Sequence, residues 1–298
     1  MREVSCPICT ATQPIPIFET TLPCDFDGAS PPPPYSAHYR INRCAGCGLV
    51  YSSPIMEAWG VAALYQNSSE TNVMSGEEDN VRRTMRGYYR LAAPHLLARG
   101  RVLDIGCDMG FLLEAAAADG FRQLHGIEPN PIAGAMAGRI GGTQIIEGFY
   151  ENSDYPAEYF DLITMIHVLD HLVDPRTALQ RVFRDLRPGG VIVAVVHNVG
   201  SVLGRVLRER FPVYNLFHHF FFDKSTLGAL FGRHGFEVID VVSTRNCYSL
   251  GFFARQIPGC PPSVRDVLVR SLGAVRLANL PLTVPVGNIG IVARRSAR

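Results

Sequence analysis

One stretch of the chain, RVLDIGCDMGF (101–111), limits the possible folds more than any other. Apolar residues run up to Ile105, and Gly106 and Gly110 then bracket a turn that leads into an alanine-rich helical pattern. A buried strand followed by a glycine turn and a helix is the first unit of a doubly wound α/β sheet, in which ligands bind beyond the carboxyl ends of the strands. The turn is therefore the first candidate for a ligand-binding loop.

The segments downstream keep alternating between strand and helix patterns. Strands are predicted at RVLDIG, LHGIEP, TQIIEG, FDLITMI and GVIVAVV, with helices between them that include 133–139 and 179–186. A further helix ahead of Gly100 is predicted from apolar residues at helical spacing: Val81, Met85, Tyr88, Ala92 and Leu96. This alternation predicts a parallel sheet with helices on both faces. EVIDVV and NIGIVARR should form a final antiparallel pair of strands.

The residue between the two glycines, Asp108, indicates which ligand the turn can accept. A dinucleotide site uses the spacing G-x-G-x-x-G, whereas Gly106 and Gly110 are four residues apart. A carboxylate close to two phosphates costs on the order of several kcal/mol in a partly dry site, so a pyrophosphate ligand is disfavoured. S-adenosylmethionine carries a sulfonium and an ammonium group and no phosphate, so an acidic residue suits it.

The balance of charge argues against a polyanionic partner. The chain has 28 Lys and Arg against 27 Asp and Glu, a formal net charge of +1, so nucleic acid is not the expected ligand. The longest apolar runs, such as VIVAVV (191–196), are far shorter than the roughly 20 residues that a membrane helix needs. The first residues have no apolar signal segment. We expect no membrane span and a cytoplasmic location.

Two CxxC pairs near the beginning of the chain predict a metal site. Cys6 and Cys9 form CPIC, and Cys44 and Cys47 form CAGC. Each pair can direct two sulfurs at one ion, and four thiolates complete the tetrahedron of a structural zinc site with no open position for catalysis. The alternatives are unrelated buried cysteines or disulfides, which a cytosolic compartment disfavours. Between the pairs, PPPPY (31–35) is typical of a polyproline spacer.

The order of motifs resembles a known family. VLDIGCDMG, GIEP, FDLITMIHVLDHLVDP, LRPGGVIVAVVHN and HHFFFDKSTLGALFGRHGFEVI resemble the successive motifs of class I S-adenosylmethionine-dependent methyltransferases over roughly residues 101–242. The resemblance implies a Rossmann-like, doubly wound, seven-stranded sheet. CPIC and CAGCGLVYSSP resemble the zinc-ribbon subgroup that is associated with methylation of sugars, polysaccharides or natural products. Asp108 departs from the family turn, in which the middle position is usually glycine.

The resemblance also implies the residues that bind the methyl donor: Asp104, Gly106, Asp108, Gly110, Glu128, Phe149, Tyr150 and His167. Asp104 should order the loop near the ammonium group. Glu128 should accept hydrogen bonds from the two ribose hydroxyls, although it could instead cap the following helix. Phe149 and Tyr150 should flank the adenine, although either could belong to the core. His167 should lie near the methyl group.

Histidines are the candidates for a base on the acceptor side, because their pKa values lie near working pH. They are His167, His171, His197, His218 and His219, of which His218 and His219 are favoured. His167 and His171 are four residues apart and could share a helix face, which raises the possibility of a metal site. No third ligand is evident nearby, so this interpretation is disfavoured, and His171 could equally be a structural helix residue.

The expected organisation has three parts: a zinc-ribbon module over 1–54, a connecting helical segment over 55–99, and a methyltransferase domain over 100–298. The last contains a lid insertion around 201–223 and a second insertion around 244–285. The favoured function is methyl transfer to a small-molecule acceptor, a sugar or a natural-product intermediate, at oxygen or carbon. The alternatives are an RNA base methyltransferase that grips RNA with the zinc ribbon and a non-catalytic module that binds zinc and the cofactor.

Overall fold

The computed structural model describes residues 1–9, 11, 13–23, 37–60, 73–257 and 261–296, so the predicted polyproline spacer lies outside the described residues. The strands, in chain order, are β1 (Pro14–Phe18), β2 (Ile41–Cys44), β3 (Val50–Ser52), β4 (Arg101–Ile105), β5 (Gln123–Glu128), β6 (Thr143–Glu147), β7 (Phe160–Ile166), β8 (Leu186–His197), β9 (Phe220–Phe221), β10 (Phe236–Ser243), β11 (Asn246–Ser249), β12 (Pro281–Val284) and β13 (Asn288–Arg295). The helices are α1 (Glu78–Ala92), α2 (Phe111–Ala118), α3 (Pro131–Ala137), α4 (Pro175–Asp185), α5 (Val202–Leu207), α6 (Lys224–Arg233), α7 (Leu250–Arg255) and α8 (Pro262–Ala274).

The main sheet confirms the predicted fold class. Seven strands lie in the order β10-β13-β8-β7-β4-β5-β6. The pairs from β8 to β6 are parallel, and β13 runs antiparallel to both β8 and β10. The chain moves from β4 towards β5 and β6, then returns to the other side of β4 with β7, so the crevice beyond β4 and β7 is the expected ligand site of such a sheet. Every residue of β7 is buried, as expected for a parallel strand covered on both faces.

Two helix boundaries differ from the sequence-based prediction. The helix predicted over 179–186 begins earlier, at Pro175, where the side chain of Asp174 accepts hydrogen bonds from the first turn and proline has a suitable backbone angle. The helix predicted to continue to Gly100 ends at Ala92 and is followed by a short 3-10 turn. Pro94 explains this early end, because proline cannot donate the backbone hydrogen bond that would extend the helix.

The N-terminal strands are joined to the rest of the chain by β9. A four-stranded sheet has the order β1-β2-β3-β9, and β9 pairs with β3 through Val50 with Phe221 and Tyr51 with Phe220. Phe221 is buried in a cluster with Ile41 and Val50. The sheet therefore crosses the predicted boundary at residue 54 and includes part of the predicted lid insertion.

The second insertion packs on α1. The Tyr88 hydroxyl donates to Asn246 Oδ1 at 2.7 Å, and the Cys247 N–H donates to Thr84 Oγ1 at 2.8 Å. The antiparallel pair β11 and β12 thereby lies against the same helix that covers the main sheet. Within the part of the chain that the structure describes, every helix is too short or too polar to cross a lipid bilayer.

The pairing of β9 with β3 should contribute strongly to stability. Phe221 is 1% exposed, whereas Leu97 is 81% exposed. Phe221→Ala should lower the free energy of unfolding by about 3–5 kcal/mol, because it leaves a cavity between the two parts of the chain. Leu97→Ala should change it by less than about 0.5 kcal/mol. Urea denaturation measures both, and equal effects of the two variants would contradict this role of β9.

Candidate active site

The predicted site residues gather at the carboxyl edge of the main sheet. The glycine turn follows β4, Glu128 ends β5, His167 follows β7 and His197 ends β8. The turns after β4 and β7 touch, since a Cβ atom placed on Gly106 would lie 2.5 Å from Val168 Cγ2. The order of the strands thus brings together residues that are up to 91 positions apart (197 − 106).

The turn after β4 has an unusual backbone. Three of its residues have positive φ: Gly106 (70°), Asp108 (43°) and Gly110 (79°). Gly110 also faces Ile140, whose Cδ1 atom would lie 2.5 Å from an added Cβ, so both its backbone angle and its surroundings require glycine. Asp108 adopts the left-handed region that aspartate tolerates better than most residues. The turn therefore keeps the shape of a glycine loop while placing a carboxylate in it.

Glu128 fixes this turn from the end of the neighbouring strand. Its Oε2 accepts a hydrogen bond from the Asp108 N–H at 2.8 Å, and its Oε1 accepts one from the Asn130 N–H at 2.9 Å. The cap of α3 is provided by Asn130, whose side chain accepts from the first turn of the helix, so the alternative role of Glu128 as helix cap is not what the structure shows. A carboxylate oxygen accepts more than one hydrogen bond, so Glu128 keeps acceptor capacity for a ligand.

Three carboxylates crowd around the turn, and each has a raised pKa. Burial raises the pKa of Asp104 to about 8, partly offset by a hydrogen bond from the Thr164 hydroxyl. Burial and the charge of Glu128 raise the pKa of Asp108 to about 6, and burial raises the pKa of Glu128. Among the described residues, the buried Asp108 Oδ1 has no hydrogen-bond partner. Such a group of carboxylates fits a cationic ligand and repels phosphates.

The loop after β6 contacts the end of β5, but only one of its two predicted aromatics remains a candidate for adenine. Gly148 donates its N–H to the Glu128 carbonyl at 3.0 Å. Phe149 is the next residue, so its backbone lies close to the end of β5. Tyr150 differs from the prediction that it flanks the adenine. It is buried in the core, and its hydroxyl donates to Asp185 Oδ2 at 2.7 Å. Its side chain is therefore a structural core group.

The turn after β7 carries a second cluster, built around a buried aspartate. The sequence suggested that His167 and His171 could share a helix face. Instead, both lie in the turn between β7 and α4. Asp170, which is 1% exposed, lies between them and accepts a hydrogen bond on Oδ2 from His197 Nδ1 at 2.9 Å. His171 and His218 also approach this carboxylate. Among the described residues, Asp170 belongs to two candidate ligand groups, one with His167 and His197 and one with His171 and His218, and neither group joins His167 to His171.

The segment that contains His218 and His219 is fastened to the same turn. The backbone N–H of His219 donates to the Asp170 carbonyl at 2.8 Å, and the Ser52 N–H donates to the His219 carbonyl at 2.8 Å. The predicted lid is thus tied to the main domain on one side and to the N-terminal strands on the other. The two favoured histidines and the turn after β7 form one local structure.

The imidazoles of this cluster favour the neutral state. Burial lowers the pKa of His167 to about 3 and the pKa of His219 to about 4, and it holds the pKa of His218 well below its usual range. Burial alone would raise the pKa of Asp170, but the His197 hydrogen bond and the neighbouring imidazoles hold it below its usual range. The cluster therefore presents one carboxylate near four imidazoles that favour the neutral form, those of His167, His171, His218 and His219.

Sequence reasoning missed Asp170. A signal was available, since the pattern H-x-x-D-H places a carboxylate between two imidazoles. A helical interpretation of this segment conceals the carboxylate, because it relates His167 to His171 by their spacing of four residues and gives Asp170 no part in the pair. His197 was a candidate on composition alone, and the parallel pairing of β7 with β8 brings it to Asp170.

The four paired cysteines come together as predicted. The Sγ atoms of Cys6 and Cys47 are 3.4 Å apart, those of Cys9 and Cys44 are 3.3 Å apart, and those of Cys6 and Cys9 are 3.8 Å apart. A tetrahedral zinc ion with bonds of about 2.3 Å to sulfur requires similar separations. The four thiols therefore have a suitable donor set and spacing for such an ion.

A cavity of about 760 Å³ lies beside the histidine cluster. It is lined by residues of α5 and of neighbouring segments, including Asn198, Val202, Leu203, Val206 and Asn288. Val202 and Val206 are 81% and 73% exposed, so apolar surface faces this space. Asn288 links the cavity to the cluster, since its Nδ2 atom lies 3.4 Å from His167 Nε2.

Comparisons with known proteins agree with this geometry. The methyltransferase domain family matches residues 78–241, which is more than half of the chain. The ubiquinone biosynthesis O-methyltransferase of Pseudomonas aeruginosa (strain LESB58) is 30% identical over 159 residues, which cover 49% of this chain and 68% of that protein. The protein of the same name from Pseudomonas fluorescens (strain SBW25) is 29% identical with the same coverage.

Two solved structures share the fold. A chain from the complex between the Haloferax volcanii Trm112 methyltransferase activator and a methyltransferase has a TM-score of 0.54 and 16% identity, covering 75% of this chain and 92% of its own. The YcgJ protein of Bacillus subtilis has a TM-score of 0.50 and 18% identity, covering 70% of this chain and 98% of its own. The chain therefore belongs to the methyltransferase domain family, and the resemblance to class I S-adenosylmethionine-dependent methyltransferases is confirmed.

Affinity for S-adenosylmethionine should rise with pH as Asp108 ionises. The pKa of Asp108 is raised to about 6 without ligand, and a bound cation lowers it, so binding releases a proton and becomes tighter as the pH rises through 6. The gain between about pH 5 and about pH 7 should reach about tenfold. Calorimetric titration of wild type and of Asp108→Asn measures it.

The Asp108→Asn variant should lose the part of this pH dependence that is centred near pH 6, while any rise centred near pH 8 would come from Asp104, whose pKa is also raised. Asp79→Asn is the matched control, because the Asp79 side chain is 90% exposed and lies on α1 outside the turn. An equal rise in affinity in wild type and in Asp108→Asn would show that another group is responsible.

Proposed function

We propose that the protein transfers the methyl group of S-adenosylmethionine to an oxygen atom of a small-molecule acceptor. The observation that carries this proposal is the division of the sheet edge into two halves. Carboxylates surround the turn after β4, where they suit a cationic donor, and neutral imidazoles with one aspartate surround the turn after β7, where they suit a hydroxyl acceptor. The two Pseudomonas relatives support it, because their names are those of O-methyltransferases.

On the donor side, the chain supplies orientation and charge. The donor, when bound, provides an electrophilic methyl group. Glu128 would accept the ribose hydroxyls with the acceptor capacity left after its two backbone hydrogen bonds. Asp104 and Asp108 would face the charged part of the donor, and Gly106 and Gly110 would allow its close approach. Catalysis in such a site depends mainly on holding the acceptor in line with the methyl group.

On the acceptor side, the cavity beside α5 is the proposed entry. Its apolar rim suits an acceptor with an apolar body. Asn288 lines the cavity and also lies close to His167. His167, His171, His218 and His219 remain the proposed acceptor-side residues, and Asp170 with His197 is added to them. The body of the acceptor would lie against α5, and its hydroxyl group would point towards the imidazoles.

The N-terminal module is proposed to hold a structural zinc ion through Cys6, Cys9, Cys44 and Cys47. This ion would have a structural role and no catalytic one, because four thiolates leave no open coordination position. Its contribution would be to fix β2 and β3, which pair with each other and then with β9. In this way the zinc ribbon over 1–54 would support the lid around 201–223.

Methyl transfer tests the proposed function directly. Protein supplied with S-adenosylmethionine carrying a labelled methyl group should move the label to the oxygen of phenols or sugars that bear a free hydroxyl. Glu128→Gln should raise the KM for the donor at least about tenfold, since a hydrogen bond to a charged group contributes about 1.5–3 kcal/mol. Asp79→Asn should leave it unchanged. Label found only in RNA, or in no acceptor of a broad panel, would contradict the proposal.

Zinc content tests the N-terminal site. Protein purified without added metal should contain one zinc ion per chain by elemental analysis, and Cys44→Ser should lose it, because the thiolate set is incomplete. Cys247→Ser is the control, since Cys247 is a buried cysteine beside Asn80 and away from the cluster. Because β3 supports β9, Cys44→Ser should impair acceptor turnover more than donor binding. Wild-type protein without zinc would rule out this site.

A further inference from the structure

The strongest unassigned feature is the environment of the Asp170 carboxylate. It is 1% exposed, and within the described residues its Oδ1 has no hydrogen-bond partner. His171 Nε2 lies 3.9 Å from Oδ1, and His218 Nε2 lies 4.0 Å from Oδ2. Both distances are too long for a hydrogen bond. A buried carboxylate with an unsatisfied oxygen normally requires a cation or a donor.

The tautomer of His218 shows what this environment lacks. Asn215 is oriented by two backbone contacts, since its Nδ2 donates to the Pro212 carbonyl at 3.0 Å and its Oδ1 accepts from the Phe217 N–H at 2.9 Å. His218 Nδ1 lies 3.0 Å from the same Oδ1, so it must be the N–H donor. In a neutral ring, the Nε2 atom then carries a lone pair. Two acceptors, His218 Nε2 and Asp170 Oδ2, therefore face each other.

A metal ion satisfies both acceptors at once. Zinc-type ions bind imidazole nitrogen at about 2.0–2.1 Å and carboxylate oxygen at about 2.0–2.2 Å, so ligand atoms that are 3–4 Å apart lie within reach of one ion. The ligand atoms of Asp170, His171 and His218 all lie within 4.8 Å of one another. Asn215 holds the Nδ1 hydrogen of His218, which is the support that metal-binding histidines usually have. A hydrogen bond with the Phe217 backbone likewise holds the His171 ring.

We propose that Asp170, His171 and His218 bind a divalent transition-metal ion. Two imidazoles and one carboxylate leave further coordination positions open, as in catalytic sites and unlike the four-thiolate cluster. His197 lies outside this triad and orients Asp170 through its hydrogen bond to Oδ2. Since His218 belongs to the lid and Asp170 to the turn after β7, the ion would also join these two segments.

The role of the ion in catalysis rests on the proposed function. An acceptor hydroxyl bound at the open position would release its proton to water, because a metal ion lowers the pKa of a bound hydroxyl. The oxygen lone pair would then form the O–CH3 bond while the C–S bond breaks, and sulfur would keep the bonding pair as a neutral thioether. The products are the methyl ether, the demethylated donor and one proton.

Cobalt(II) is a suitable probe of this site. It should be titrated into the full-length protein with zinc retained in the cysteine cluster and without a methyl donor. One further equivalent should bind with weak ligand-field bands in the visible and without the strong thiolate band that cysteine ligands give. His171→Gln should weaken this binding at least about tenfold, and urea denaturation of the variant and of wild type shows whether the fold tolerates the change at this half-buried position.

Controls and structure determination keep the test decisive. His95→Gln, on the 3-10 turn after α1, should bind cobalt like wild type, and anomalous diffraction from cobalt-soaked crystals should show the ion between Asp170, His171 and His218. Absence of a second equivalent, a thiolate band, an ion elsewhere, or unchanged binding in His171→Gln would each overturn the proposal. The cobalt titration contains no methyl donor, so its result is independent of the methyl-transfer assay. A protein that binds cobalt at this site but transfers no methyl group would contradict the proposed function and not the metal site.

Discussion

Burial of three neighbouring carboxylates, with repulsion added to it, is the constraint on which the donor half of the site depends. Asp104, Asp108 and Glu128 end neighbouring strands or their turns, and burial in a covered parallel sheet removes the water that would screen them. The fold tolerates this cost at the one place where a ligand can repay it. A ligand with two positive charges relieves the repulsion, whereas a phosphate increases it, so the same fold that binds dinucleotides elsewhere is directed here to a cationic donor.

The acceptor half uses the opposite arrangement. Among the described residues of this half, Asp170 is a buried carboxylate approached by the imidazoles of His171, His197 and His218. The backbone reinforces this grouping, since the Asp170 carbonyl accepts the N–H of His219 and Ser52 holds the carbonyl of His219. Order in the N-terminal strands is thereby transmitted to the imidazoles through a short chain of backbone hydrogen bonds. A metal ion held by the four cysteines, as proposed, would therefore influence chemistry in which it takes no part.

The sequence predicted the parts of the molecule that local patterns determine. The alternation of strand and helix indicated the sheet, the two CxxC pairs indicated the cysteine cluster, and the position of Glu128 at the end of β5 placed it beside the glycine turn. Two errors arose where tertiary contacts decide. Tyr150 follows a loop that suits adenine, yet its ring enters the core because Asp185 offers a buried partner for its hydroxyl. The environment of Asp170 depends on His197 from β8 and His218 from the lid. These residues are distant in sequence and approach Asp170 only in the folded chain, so no local pattern reveals the cluster.

Asp108 departs from the family turn at a cost in both backbone conformation and burial. Its N–H bonds Glu128 at 2.8 Å, and glycine would keep that bond, so the backbone gives no reason for a side chain here. The left-handed conformation costs a non-glycine residue roughly 1 kcal/mol or more, and burial of the carboxylate adds to this cost. What the side chain contributes in return is negative charge next to Glu128, on a carboxylate whose buried Oδ1 has no partner within the described residues. A decayed loop would carry a residue that is neutral to the ligand, whereas Asp108 carries a charge that would favour the cationic donor of the proposed function.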